Sequence, residues 1–222
     1  MYHPFPEDRA KAIELAQNYI SSDPLFLDTE TTGLSEMGEI CEIAVVDVKG
    51  DVLINMLVKP TRPVSESTSQ IHGITNEMVA NAPTFGDLLP RLDQVLRGRT
   101  VLVYNLEFDI GKLARSAAAN GCQVDHWWRA LPADPSVPED HVQEFKTSWH
   151  CAMELYAQYY GDWNDYHHSY RWQRLFNAAL QCGVDLPPGI HRALADAELT
   201  RRIVFHMAEN KNIQMTLRET GA

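Results

Sequence analysis

A chain of 222 residues, 45% hydrophobic and 22% charged, has enough apolar sequence for one packed core and too ordinary a balance for a disordered or fibrous protein. Nineteen Lys and Arg against thirty Asp and Glu give a formal charge of −11, which argues against a protein that coats nucleic acid by bulk attraction. It does not exclude an enzyme acting on nucleic acid, because bound divalent cations reverse the local field.

Met1 to Lys11 carries Glu7 and Asp8 and no apolar signal core, and no run reaches the ~18–20 apolar residues of a membrane span. Cys41, Cys122, Cys151 and Cys182 are widely separated, with no C-x-x-C pair or short disulfide framework. Reduced thiols, a cytoplasmic setting and no membrane partner are expected.

Glu7 to Ile20 places Ala10, Ile13, Leu15, Ala16 and Ile20 at mostly helical spacing and predicts an opening helix, stopped by Ser21-Ser22-Asp23-Pro24. Leu25 to Thr31 is a short apolar run that turns acidic. Ile40 to Val48 and Val52 to Val58 flank Lys49-Gly50-Asp51, so three strands are expected, the last two as a hairpin. Pro60 to Ser69 has loop composition, and Ile71 to Leu96 is largely helical in pattern, with breaks expected near Pro83 and Pro90. Thr100 to Tyr104 predicts a buried strand, and Leu106 to Asn120 a helix stopped at Gly121.

Asp125 to Lys146 changes character, with Pro132, Pro135 and Pro138 among Ala, Asp, Ser and Glu, and reads as an inserted loop, solvated by default. Thr147 to Tyr160 predicts a short strand running into a helix, Tyr170 to Cys182 an amphipathic helix ending at Gly183, and Ala193 to Asn210 a final long helix. No internal repeat interrupts this order, so residues 1–222 are expected to form a single domain with an N-terminal helix (about 7–20) and a Pro-rich insert (about 125–146).

In Leu25-Phe26-Leu27-Asp28-Thr29-Glu30-Thr31, strand alternation puts Asp28 and Glu30 on one face, about ~7 Å apart along the chain. Two charged acids at the end of an apolar strand cost several kcal/mol in a low-dielectric setting unless a cation compensates them. Oxygen ligands of this kind suit Mg²⁺ or Mn²⁺. Taken alone, such a pair more often simply solvates a strand end.

The stretch Asp28-Thr29-Glu30-Thr31-Thr32-Gly33-Leu34 resembles the first motif of the DnaQ-like, DEDDh-class 3′→5′ exonucleases almost letter for letter. Tyr104-Asn105-Leu106-Glu107-Phe108-Asp109 is similar to the second motif, with Tyr104 where many relatives have His. His191-Arg192-Ala193-Leu194-Ala195-Asp196 matches the third, H-x-A-x-x-D, and Ile71-His72-Gly73-Ile74-Thr75 resembles a further segment of these enzymes. Each match is weak alone; their order and spacing over roughly residues 25 to 210 are specific.

The resemblance implies an α/β, ribonuclease H-like fold: a central mixed sheet of about five strands flanked by helices. It also implies two divalent cations, Mg²⁺ or Mn²⁺, held by Asp28, Glu30, Asp109 and Asp196, with His191 as general base. Phosphodiester hydrolysis needs an activated water, charge stabilisation and help for the leaving oxygen, and a two-metal site supplies all three. Thr31, Leu34, His72 and Asn105 would receive the terminal nucleotide, with simple packing of Leu34 and an ordinary satisfied His72 as open alternatives. Glu107 reads as a solvated acid in the first turn of a helix.

Five residues span about ~140° around a regular helix, so His191 and Asp196 cannot both point into one site from one ideal helix. His191 is therefore expected on the loop before it, which Pro187-Pro188-Gly189 favours. The tryptophans between Trp127 and Trp172 could stack bases but read more simply as packing, and His150-Cys151 and His167-His168 lack the partners of a zinc site.

The function expected is removal of nucleotides from a 3′ end of DNA, single-stranded or frayed, as nucleoside monophosphates; the wording DTETTGL is closer to the DNA-acting branch. The same chemistry on RNA is the nearest alternative, distinguished by treatment of the 2′-OH. A catalytically silent binding or polymerase-associated module of the same fold should have lost a ligand, and here all four acids and His191 are present. A polymerase or repair partner fits the resemblance, while oligomeric state is left open.

Overall fold

The computed structural model describes residues 4–124, 127, 147–189 and 191–209. The Pro-rich insert lies outside these apart from Trp127, as does Asn210 at the end of the last expected helix.

Helix α1 spans Pro6–Ser21, with Pro6 in its first turn, where a missing N–H costs no helical bond. Strands β1 (Leu25–Thr31), β2 (Ile40–Asp47) and β3 (Val52–Leu57) follow, then helices α2 (Glu66–His72), α3 (Asn76–Val79) and α4 (Phe85–Leu96). Strand β4 (Thr100–Val103) feeds α5 (Leu106–Ala119), and β5 (Ser148–Cys151) feeds α6 (Ala152–Tyr160). A small hairpin of β6 (Trp163–Asn164) and β7 (Ser169–Tyr170) precedes α7 (Leu175–Cys182) and α8 (Ala193–Glu209).

The main sheet has the order β3-β2-β1-β4-β5. β1 pairs antiparallel with β2 and parallel with β4, and β4 pairs parallel with β5, so the sheet is mixed and five-stranded with helices on both faces. Alternation assigns the two cores. Phe26, Val46 and Leu102 face α1, α6, α7 and α8. Leu25, Leu27, Val45, Val101 and Val103 face α4 and α5. On α8, Ala193 and Ala197 are fully buried, and side chains this small let the helix lie close to β1 and β2.

The parallel register of β1 and β4 runs from Leu25 opposite Val101 to Leu27 opposite Val103. β4 then ends, so the acidic half of β1 runs past its neighbour, and α5 starts beside it. Asp28 and Glu30 continue the Phe26 face, and Thr29 continues the face toward α5.

Three expectations change. Ser65 lies in the stretch with loop composition, but its side chain accepts from the Thr68 N–H and starts α2 within that stretch. Pro90 does not break α4, which is held by the reciprocal Thr84–Asp87 capping box and by buried Phe85, Leu88, Leu92 and Leu96. Tyr170 to Arg174 is not helical: Tyr170 pairs with Trp163, and α7 begins only at Leu175.

Leu92 is fully buried in the α4–α5 core. Leu92→Ala should lower stability by about 2–5 kcal/mol in urea unfolding, with the slope of the transition unchanged.

Candidate active site

Asp28 and Glu30 from β1 meet Asp196 from the first turn of α8, each offering a carboxylate oxygen, and these atoms all lie within 4.8 Å of one another. Asp109, in the first turn of α5, approaches from the opposite face of the sheet. It is buried, and its carboxylate accepts a hydrogen bond from the Thr29 hydroxyl at 2.7 Å. Thr29 is thus the strand residue that orients the acid arriving from the other side.

The electrostatic consequence is severe. Burial, with Asp109, Asp196, Glu30 and Glu42 close by, raises the Asp28 carboxyl well above the usual range. Burial first, then Asp196, Glu42 and Asp109, push Glu30 up to about 8, against a lesser lowering by Arg192. Burial lifts Asp109 to about 7, opposed by the hydrogen bond from Thr29, and burial also raises Asp196. Hard oxygen donors brought together at such a cost fit a hard divalent cation, which would hold them all ionised.

Glu42 lies directly opposite Glu30 in the β1–β2 register, where like charges repel. Arg192 neutralises it: its Nε donates to both Glu42 oxygens, at 3.1 and 3.0 Å, and its Nη2 donates to Oε1. The first N–H of α8, at Ala193, also donates to Glu42 Oε2 at 2.9 Å. Glu42 therefore fixes the start of α8 to the sheet. Ahead of that clamp His191 stands at φ 66, exposed and outside the helix, as the spacing argument requires. Its N–H points to the Asp196 carboxylate at 3.4 Å.

The segment after β1 folds back on itself and is held by Lys112. This lysine is 4% exposed, and its ammonium donates to the carbonyls of Gly33 and Leu34, at 3.2 and 3.4 Å, and to that of Ser35. Gly38 must be glycine here, since a Cβ would collide with the Gly33 carbonyl and lie 2.9 Å from Lys112 Nζ. The fixed loop leaves Leu34 75% exposed, a large apolar side chain with no packing role.

Thr31 is buried, with its hydroxyl turned to the Gly33 carbonyl at 3.2 Å. His72 has both ring nitrogens engaged within the chain. Its Nδ1 accepts from the Ile74 N–H at 3.0 Å, so Nε2 carries the proton and donates to the Thr31 carbonyl at 3.2 Å. Both ring nitrogens serve backbone, and His72 braces the end of β1. Asn105 is exposed at the start of α5 with no side-chain cap.

Glu42, Arg192, Thr29 and Lys112 were not identified from sequence. Their one local signal is polarity out of place: a lone acid in the apolar run Ile40 to Val46 and a lysine on the apolar side of α5.

The family model for RNase T-type exonucleases matches residues 25–204. An uncharacterized exonuclease of Escherichia phage 186 is 34% identical over 194 residues, covering 87% of this chain and 92% of the phage protein. DNA polymerase III subunit epsilon of Pasteurella multocida is 34% identical over a shorter stretch, 39% of this chain and 38% of that one. Among solved structures, exonuclease X in complex with 5′-overhanging duplex DNA superposes with a TM-score of 0.53 at 28% identity, over 82% of this chain and 89% of that one. The chain belongs to the DnaQ-like exonuclease family of the ribonuclease H-like superfamily. It is an exonuclease of that family, and no described helix is long and apolar enough to cross a membrane.

Two outcomes follow from the geometry. Folded carboxyls that keep their protons to about 7 or 8 while the unfolded chain releases them near pH 4 make the metal-free protein lose stability as pH rises through that window. In EDTA the melting temperature should fall between pH 5 and about 8, less steeply in Glu30→Gln, and Mg²⁺ should raise it more at pH 8 than at pH 6. Lys112→Met should speed amide hydrogen exchange in residues 33–38 while leaving β4 protected, because it strands the three carbonyls.

Proposed function

We propose that the chain is a metal-dependent 3′→5′ exonuclease acting on the 3′ end of DNA, single-stranded or frayed, and releasing nucleoside monophosphates, with all 222 residues working as one domain. The observation that carries this reading is the meeting of Asp28, Glu30 and Asp196, with Asp109 beside Asp28, next to an exposed Leu34 on a fixed loop. DNA as substrate, a cytoplasmic setting and a polymerase as partner draw their support from the similarity to DNA polymerase III subunit epsilon and to exonuclease X.

Asp28, Glu30, Asp109 and Asp196 would hold two divalent cations, Mg²⁺ or Mn²⁺, which when bound supply water activation and stabilisation of charge on the phosphate. The other steps belong to the chain. His191, exposed beside Asp196, accepts the proton of the attacking water as general base. The Glu42–Arg192 pair keeps His191 at that distance by fixing the start of α8. Leu34 meets the terminal base, Thr31 and His72 hold the backbone beneath it, and Asn105 faces the strand from the start of α5.

With 5′-labelled single-stranded DNA, duplex DNA and RNA, stepwise shortening from the 3′ end is expected with Mg²⁺ or Mn²⁺ and none with EDTA. His191→Ala should lower hydrolysis by about ~10² to 10⁴-fold while Mn²⁺ binding is retained. Metal-independent cleavage would overturn the assignment, and unchanged turnover in His191→Ala would remove that residue from the chemistry.

A further inference from the structure

Beyond the carboxylate centre, an opening of about 300 Å³ lies outside the carboxyl ends of β4 and β5. Half-buried Leu106, Ile110 and Met153 give it an apolar lining, exposed Asn105, Glu107 and Glu154 supply polar atoms, and Trp172 completes the wall. This is the kind of position where open α/β sheets bind ligands. It adjoins the proposed active site through the start of α5, where Asn105 directly precedes the helix and Asp109 lies in its first turn.

Trp172 is the unusual member. Its indole is 65% exposed, whereas Trp127, which packs in the core, is 2% exposed. The backbone on both sides is nevertheless pinned. Arg171 donates its N–H to the Asp162 carbonyl at 2.7 Å and pairs with the Asp162 carboxylate at 2.9 Å. The Gln173 carbonyl accepts from the Tyr104 hydroxyl at 2.8 Å, and its side-chain oxygen accepts from Gln181 at 3.1 Å. Tyr104, the residue that departs from the usual family histidine, thus ties the Trp172 segment to the start of α5. A large flat side chain carried to solvent on a pinned backbone is a stacking surface already placed for a ligand.

The chemistry of the lining selects among ligands. Among the described residues no lysine or arginine lines the opening and two carboxylates do, which disfavours phosphate, while those carboxylates accept hydrogen bonds from exocyclic amines. An apolar lining, one indole and acceptor groups fit a nucleobase.

We propose that this opening is a nucleobase subsite, in which a base of the substrate strand internal to the 3′ end stacks on Trp172, positioned by Tyr104. The subsite rests on the exonuclease reading given above. It anchors the strand upstream of the cleaved bond, so it acts through substrate affinity.

The test uses 5′-labelled single strands in which one abasic nucleotide is moved stepwise inward from the 3′ end. Wild-type protein should show a raised KM, with little change in kcat, when the abasic nucleotide occupies one particular internal position. Trp172→Ala should raise KM on the intact strand by about 5- to 100-fold, the range of a lost base–aromatic stack, and abolish that positional penalty. Trp172→Phe should keep the penalty, and Tyr104→Phe should weaken it at the same position. The metal-induced rise in melting temperature reports that each variant is folded. A penalty that persists in Trp172→Ala, or no positional penalty in an active wild-type protein, would refute the subsite; such a result would follow if Trp172 served a protein partner instead. Wild-type protein inert on every strand with metal would refute the exonuclease reading itself.

Discussion

Asp28 lies beside Glu30, Asp109 and Asp196 at a place where the sheet and two helices exclude much of the water, and Glu42 adds a further negative charge one strand away. Carboxyls so arranged resist ionising together without a cation, and their affinity for protons is raised accordingly. The fold supplies this crowding by ending β4 early. Past that point β1 is paired with β2 only, presenting Asp28 and Glu30 to one face and Thr29 to the other, so acids from α8 and α5 arrive from both sides.

Holding those acids together requires support from distant sequence. Glu42 is the clearest case, since one buried carboxylate pairs with Arg192, which eases its repulsion of Glu30 across the β1–β2 ladder, and also receives the first N–H of α8. Lys112 does the equivalent for the loop after β1, with three carbonyls on one ammonium. On the proposed reading the first device places His191 and the second places Leu34. A base and an apolar wedge are thereby fixed before any substrate binds, which lowers the ordering cost of binding.

The parts legible in sequence are those encoded over a few residues. The alternation of Leu25 to Thr31 fixed the shared face of Asp28 and Glu30, and the five-residue step from His191 to Asp196 required a break that the positive φ of His191 provides. The first four strands of the main sheet were visible in their apolar runs, whereas β5, Ser148–Cys151, has no apolar run and was expected only as a short strand leading into a helix. Less legible were features decided by long-range partners: Glu42 and Arg192 are 150 residues apart, and Lys112 reaches back 77 to 79 residues to its carbonyls. The β6–β7 hairpin has two residues per strand, too short for a period to show, so Tyr170 blended into the helix pattern that follows. Pro90 misled because a capping box and a buried stripe outweigh one lost helical bond. Trp172 is ordinary as a letter, and only its exposure on a pinned backbone distinguishes it.

The central claim is that the acids around Asp28 form one metal-dependent hydrolytic centre. Calorimetric titration of Mn²⁺ at pH 8 into wild-type protein and Asp28→Asn, with hydrolysis of a 5′-labelled strand followed in the same preparations, tests it most directly. Two Mn²⁺ per chain in the wild type, with both high-affinity binding and hydrolysis lost in Asp28→Asn, is the predicted result. Wild-type-like Mn²⁺ binding and undiminished hydrolysis in Asp28→Asn would contradict it.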